Sequence, residues 1–106
     1  MRNNIIKITE CPRDAMQGIK IFIPTKNKVK YINSLIKVGF DMIDFGSFVS
    51  PKTVPQMRDT SQVIKKIKLQ NNSTSLLSVV LNKKGALDAS KFEKIKYLGY
   101  PFSISN

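Results

Sequence analysis

Apolar residues fall along the chain in short runs and helical stripes that alternate. Asn4–Thr9, NIIKIT, is a β-branched run bounded by polar residues and predicts a first strand. Its adjacent apolar positions predict burial on both faces, as in a parallel sheet. Val29, Ile32, Leu35 and Ile36 then recur at three- and four-residue spacing. With Thr25 as N-cap and Gly39 as stop, they predict a helix over 26–38. A second strand is expected at 41–45 (DMIDF), followed by a loop, GSFVSPKTVPQ. Asp59 or Thr60 can cap a second helix with an inner stripe of Val63, Ile64 and Ile67. Leu76–Leu81 predicts a third strand, Ala86–Phe92 a short third helix, and Tyr97–Ile104 a fourth strand interrupted by Gly99 and Pro101. Strands alternating with helices predict an α/β fold with right-handed crossovers and a parallel sheet. The long loops after the first and second strands leave the same, C-terminal edge of that sheet, where α/β folds collect their sites.

Composition narrows this picture. A chain of 106 residues with 42% apolar content makes one domain with a real core. No apolar run approaches the roughly 18 residues of a membrane span, and MRNNIIKITE carries no signal-peptide pattern. The single cysteine, Cys11, excludes an internal disulfide framework and fits a reducing, cytoplasmic setting. The net charge of +11 raises nucleic acid as a partner, but the excess is lysine spread along the chain, Lys28, Lys65, Lys66 and Lys68 among them. Arginine, the better bidentate reader of phosphates and guanines, occurs only at Arg2, Arg13 and Arg58. Solvated surface lysine is therefore favoured over a nucleic-acid site; the partner expectation has no membrane and disfavours nucleic acid.

One of those arginines stands in ECPRDAMQG, directly after the first predicted strand. Pro12-Arg13-Asp14 with Gln17, followed at the right distance by Ser47–Met57 (SFVSPKTVPQM), resembles the opening of hydroxymethylglutaryl-CoA lyases. The resemblance covers essentially the whole chain and weakens after Met57, where Asn82 to Gly85 corresponds to the family's Asn-x-x-Gly turn. It implies parallel βα units forming the N-terminal half of a TIM (β/α)8 barrel, a single incomplete domain over residues 1–106 that stops near the fourth strand. A full barrel takes about 250 residues. It also implies cleavage of 3-hydroxy-3-methylglutaryl-CoA to acetyl-CoA and acetoacetate, a step of leucine breakdown, with an acyl-CoA as partner.

The resemblance assigns roles by position. Arg13 matches the arginine that stabilises the enolate oxygen, Asp14 the aspartate that binds a divalent metal such as Mg²⁺ or Mn²⁺. Gln17 and Ser47 stand where the family lines its substrate pocket, and Asp44 stands in place of an active-site glutamate with a longer side chain. The family completes its metal site with a late His-x-His pair, whereas this sequence has no histidine. The metal is thus expected only if missing C-terminal ligands are supplied, and the isolated chain is expected to be inactive or nearly so. Open barrel edges predict homodimerisation or aggregation.

Other readings stand beside these. Arg13 and Asp14 could form a surface ion pair, Asp44 could cap a turn, and Ser47 could be an ordinary loop hydroxyl. Cys11 is expected as a small packed side chain, since no histidine exists to activate it, and Met16 and Met57 as core filling. Related barrels that condense acetyl-CoA with 2-oxo acids, the isopropylmalate and homocitrate synthases, share the Arg-Asp pair but generally lack SFVSPKxVPQM. A basic non-enzymatic binding module would explain the charge and leave both motifs without cause.

Overall fold

In the computed structural model, which describes residues 5–69 and 73–102, the alternation becomes a parallel sheet. The elements are β1 (Thr9–Glu10), α1 (Pro12–Gln17), α2 (Thr25–Val38), β2 (Met42–Phe48), α3 (Thr60–Lys66), β3 (Ser75–Val80), α4 (Lys83–Ser90) and β4 (Ile95–Gly99), with a 3-10 turn at Pro55–Met57. The four strands pair in the order β1-β2-β3-β4, each with its neighbour in parallel. Chain order equal to sheet order, with helical crossovers between, is the start of a barrel.

One face of the sheet makes the core. Ile43 and Phe45 of β2 and Leu76 of β3 meet Ile32 and Ile36 of α2 and Val63, Ile64 and Ile67 at α3. Each such fully buried side chain stabilises the fold by about 1.5–3 kcal/mol. The predicted inner stripes of both helices are therefore the observed ones. Gly39 ends α2 with φ at 93°, in the left-handed region that only glycine enters without strain. At the end of α3, Lys94 Nζ donates to the carbonyls of Ile64 (3.0 Å) and Ile67 (2.6 Å), satisfying orphan acceptors of the last turn.

The remaining segments differ from expectation in instructive ways. The first strand pairs only over Thr9–Glu10, and its apolar run is not buried on both faces: Ile5, Ile6 and Ile8 are exposed. Among the described residues β1 is an edge strand of the sheet; the predicted start at Asn4 lies outside them. Thr25 does not cap α2; Pro24 occupies the N-cap and the Thr25 hydroxyl bonds to Asp59 instead. Asp59 precedes α3 as N-cap without a side-chain capping bond. β2 runs on through Gly46, Ser47 and Phe48, which the sequence placed in a loop. A Cβ at Gly46 would stand 2.8 Å from Thr60 Cγ2, so this glycine marks the close approach of α3 to the strand rather than a turn. Asn82 caps α4 by accepting from Gly85 N at 2.9 Å, the Asn-x-x-Gly turn in structural form. β4 starts at Ile95 and ends at Gly99, two residues earlier at its start than expected, and the predicted end at Ile104 lies outside the described residues.

Candidate active site

α1 is the element that the sequence did not reveal. Pro12 pre-sets its first turn and is buried, and Met16 fills the core as expected. This short helix packs on β2 and sets Arg13 beside Asp44 of that strand. Arg13 Nε lies 3.1 Å from both Oδ1 and Oδ2 of Asp44, and Nη2 lies 2.9 Å from Oδ2. Nη1 donates to Gln17 Oε1 at 2.7 Å, one helical turn along. The forked pairing fixes the plane of the guanidinium as a single contact could not. The Arg13–Asp14 surface pair is not formed: Arg13 turns to Asp44, and Asp14 is exposed.

Burial dominates the electrostatics. The Asp44 side chain is 8% exposed and that of Arg13 18%. Loss of water pushes the Asp44 carboxyl above the usual carboxylate range, against the opposing pull of the Arg13 hydrogen bonds and charge. The pair acts oppositely on its partner, for the Asp44 hydrogen bond holds the Arg13 proton more firmly still. Asp44 is thereby a ligand of the guanidinium and not a turn cap.

Arg13, Gln17, Asp44 and Ser47 line one cavity of about 450 Å³ on the sheet face opposite the core, with Leu77, Val79, Val54 and Tyr100. All four expected catalytic and substrate-pocket residues thus converge, from α1 and β2. Ser47 is a strand residue, 3% exposed, and its Oγ is a buried polar atom with no hydrogen-bond partner among the described residues. An orphan hydroxyl at a cavity wall is expensive in the empty state and is relieved by a polar ligand. Met57 is buried, as expected. Cys11 is not packed: it is free and exposed. Desolvation of its thiol and the Asp44 carboxylate push its pKa up even so, away from thiolate chemistry.

Asp14, the expected metal ligand, stands apart from this cluster. Asp14 is absent from the cavity wall, and among the described residues no group of three or more His, Cys, Asp or Glu side chains could hold an ion. With no histidine anywhere in the sequence, the chain's donor set does not by itself fit a divalent cation. No helix among the described residues is long and apolar enough to cross a membrane.

No family model matches the chain. Curated proteins do. It is 49% identical over 63 residues to the mitochondrial hydroxymethylglutaryl-CoA lyase of Rattus norvegicus, covering 58% of this chain and 19% of that protein. It is 44% identical over 63 residues to the cytoplasmic 3-hydroxy-3-methylglutaryl-CoA lyase of Homo sapiens, covering 58% of this chain and 17% of the relative. The fold superposes on an HMG-CoA lyase of Acinetobacter baumannii, solved with coenzyme A and 3-methylmalate, at a TM-score of 0.82 and 34% identity over 89% of this chain and 31% of that one. The chain matches the N-terminal part of the hydroxymethylglutaryl-CoA lyase barrel. The lyase of Pseudomonas aeruginosa gives the same picture, with a TM-score of 0.82, 32% identity and 90% of this chain covered against 31% of the lyase. The chain therefore spans less than a fifth of the curated lyases it matches and under a third of these solved ones. The lyase names divide between mitochondrial and cytoplasmic, so they do not single out the expected compartment.

Sequence reasoning missed three things here: the helical state of PRDAMQ, the pairing of Arg13 with Asp44, and a second buried charge. Lys28, expected among solvated lysines, is 2% exposed and pairs with Asp59 at 2.6 Å. Pro12 at a first helical position was the available signal for α1. Nothing local distinguishes Lys28 from its exposed neighbours. By contrast Lys65, Lys66 and Lys68 are exposed, as expected.

Proposed function

We propose that this chain supplies the substrate-facing N-terminal units of a carbon–carbon lyase that cleaves 3-hydroxy-3-methylglutaryl-CoA to acetyl-CoA and acetoacetate. The observation that carries the proposal is the convergence of a clamped guanidinium, Arg13, with the orphan hydroxyl of Ser47 in one cavity of a lyase-like chain.

In that reaction a base removes the proton of the substrate's tertiary hydroxyl, the C–C bond breaks as the carbonyl of acetoacetate forms, and the bond's electrons pass into the enolate of acetyl-CoA. The enolate then takes up a proton. Negative charge develops on the thioester oxygen, and a rigid guanidinium aimed there lowers the barrier by about 2.7–4 kcal/mol in a water-poor site. Asp44 accepts from Arg13 through both oxygens, which supports a role in orienting the guanidinium rather than in taking the proton. Gln17 keeps Nη1 in place, and Ser47 offers its hydroxyl to the substrate. Asp14 would be the one residue of this chain to offer a carboxylate to a divalent ion, which would supply Lewis-acid polarisation of substrate oxygens only where further ligands came from outside these residues.

In such a lyase, neighbouring βα units would cover the apolar residues exposed on β4 and just after it, Tyr97, Leu98, Tyr100 and Phe102. Without them these surfaces favour self-association. Neither the condensing-synthase reading nor the basic-module reading draws support from the relatives, which are lyases by name.

The test is a chimera in which residues 1–99 replace the equivalent units of the Pseudomonas aeruginosa lyase. Metal-dependent release of acetoacetate is expected. A folded chimera that binds acyl-CoA yet releases none would overturn the proposal.

A further inference from the structure

Three polar side chains outside the cavity are buried together: Lys28, Gln56 and Asp59, at 2%, 5% and 6% exposure. Lys28 Nζ donates to Asp59 Oδ1 at 2.6 Å and to the Gln56 carbonyl, with the Phe22 ring centroid 4.1 Å away. Asp59 Oδ2 accepts from the Thr25 hydroxyl at 2.6 Å. The Gln56 side chain reaches a different stretch of backbone. Its Oε1 accepts from Ile23 N at 2.8 Å, and its Nε2 donates to the carbonyls of Ile19 (2.7 Å) and Ile21 (3.0 Å). Every hydrogen-bonding atom of that amide side chain is thereby engaged on alternate residues of one segment.

That segment, 19–24, has no regular secondary structure, so nothing of its own holds it straight. It leaves directly from α1, with Ile19 N donating to Met16 O at 3.0 Å. A helix of six residues is too short to be stable alone, because nucleation outweighs the few bonds gained. α1 packs on β2 and on the Pro55–Met57 turn, and Gln56 sits in that turn. The orientation of α1 therefore depends on what grips its C-terminal tail. Burial of three polar groups is costly unless each is bonded, and here every one of them is.

We infer that Lys28, Gln56 and Asp59 are positioning residues: by anchoring segment 19–24 to the Pro55–Met57 turn they hold α1, and with it the Arg13 guanidinium, in register with Asp44. Gln56 is the grip, and the Lys28–Asp59 pair fixes the backbone that carries it. The value of such positioning to catalysis rests on the lyase proposal. The geometric claim does not, and its test reads geometry.

The measurement is the exchange rate of the Arg13 Nε–H proton, followed by NMR in the 106-residue chain. In the native chain, Asp44 protects that proton. Gln56→Met keeps the side-chain bulk and removes the three bonds to segment 19–24. Exchange at Arg13 Nε is expected to accelerate by about tenfold or more, while core amides of Ile43 and Phe45 change less than about threefold. Ile32→Val, which lowers stability without touching the network, is expected to leave Arg13 protection in place. Unchanged protection in folded Gln56→Met, or equal acceleration at Arg13 and in the core, would overturn the inference, as would loss of Arg13 protection in the control. If Gln56→Met does not fold, Gln56→Glu, which keeps an acceptor for Ile23 N, is read by the same criteria. An inactive chimera would sink the lyase proposal and leave this result untouched.

Discussion

Replacing Lys28 by Met tests whether its ammonium is truly out of water. The substitution preserves most of the stem's volume and removes the cation facing Asp59. Asp59, 6% exposed, would keep the Thr25 hydroxyl as its remaining described donor. Stripping one partner from a buried ion pair costs about 3–5 kcal/mol, because the survivor is left charged without compensation. The lost cation–π contact with Phe22, about 0.5–2 kcal/mol, is one part of that cost. Against a total stability of about 5–15 kcal/mol for a domain, the loss is at least about a fifth. Equilibrium unfolding in urea, followed by circular dichroism, reads it as a midpoint lowered by about 1–5 M at the m-values usual for small proteins. Adding Asp59→Asn to Lys28→Met removes the stranded charge and should recover much of the loss, giving a coupling of about 1–3 kcal/mol in a double-mutant cycle. A single-mutant cost below about 1 kcal/mol is the behaviour of a solvated surface pair, and would refute the burial argument.

Three further outcomes follow from individual contacts. The Asp44 carboxyl is raised by burial, so the folded state binds its proton more tightly than the unfolded chain does. Its contribution to stability is then fully present below the unfolded value and is lost as pH rises through the folded one. The stability of the native chain relative to Asp44→Asn should accordingly grow on acidification through the carboxylate range, measured by urea unfolding; a decrease would mean that pairing with Arg13 outweighs desolvation. Ser47→Ala deletes a buried hydroxyl that has no described partner, so unfolding should show unchanged or slightly higher stability, by up to about 1 kcal/mol, and a clear loss would reveal a hidden bond. Gly85→Ala would place a Cβ 2.3 Å from the Phe48 carbonyl oxygen. It should push α4 off β2 at a cost of about 1–3 kcal/mol, and a neutral thermal melt would contradict that contact.

Legibility followed the strength of each local signal. α2 and α3 carry stripes that pack on the sheet, and β3 a run that is core in part, so periodicity found all three. β1 was over-read because Ile5, Ile6 and Ile8 carry the signature of burial, yet in this chain they are exposed. α1 escaped because six residues with two buried positions have no measurable period. Gly46 and Ser47 looked like a turn by residue type, but the glycine answers the approach of Thr60 and the serine faces the cavity. At the site, the motif residues Arg13, Gln17 and Ser47 were visible as letters at a fixed spacing. Their mutual contacts were not, since Arg13 and Asp44, 31 positions apart, are brought together by the parallel pairing of β1 with β2 and the packing of α1 on β2. Lys28 marks the limit most sharply: a buried cation and a solvated one read alike until the partner 31 positions away is brought beside it.

The clamped guanidinium is the centre of the functional proposal, and Arg13→Lys in the chimeric barrel tests it most directly. Lysine keeps the charge and abandons the fork that Asp44 and Gln17 hold. With steady-state acetoacetate release as the assay, kcat should fall by about 10²–10³ while KM stays within a few-fold, because the lost interaction matures only as the enolate forms. A variant with native kcat and a raised KM would show that Arg13 merely helps to bind the acyl-CoA, and would contradict its proposed part in bond cleavage.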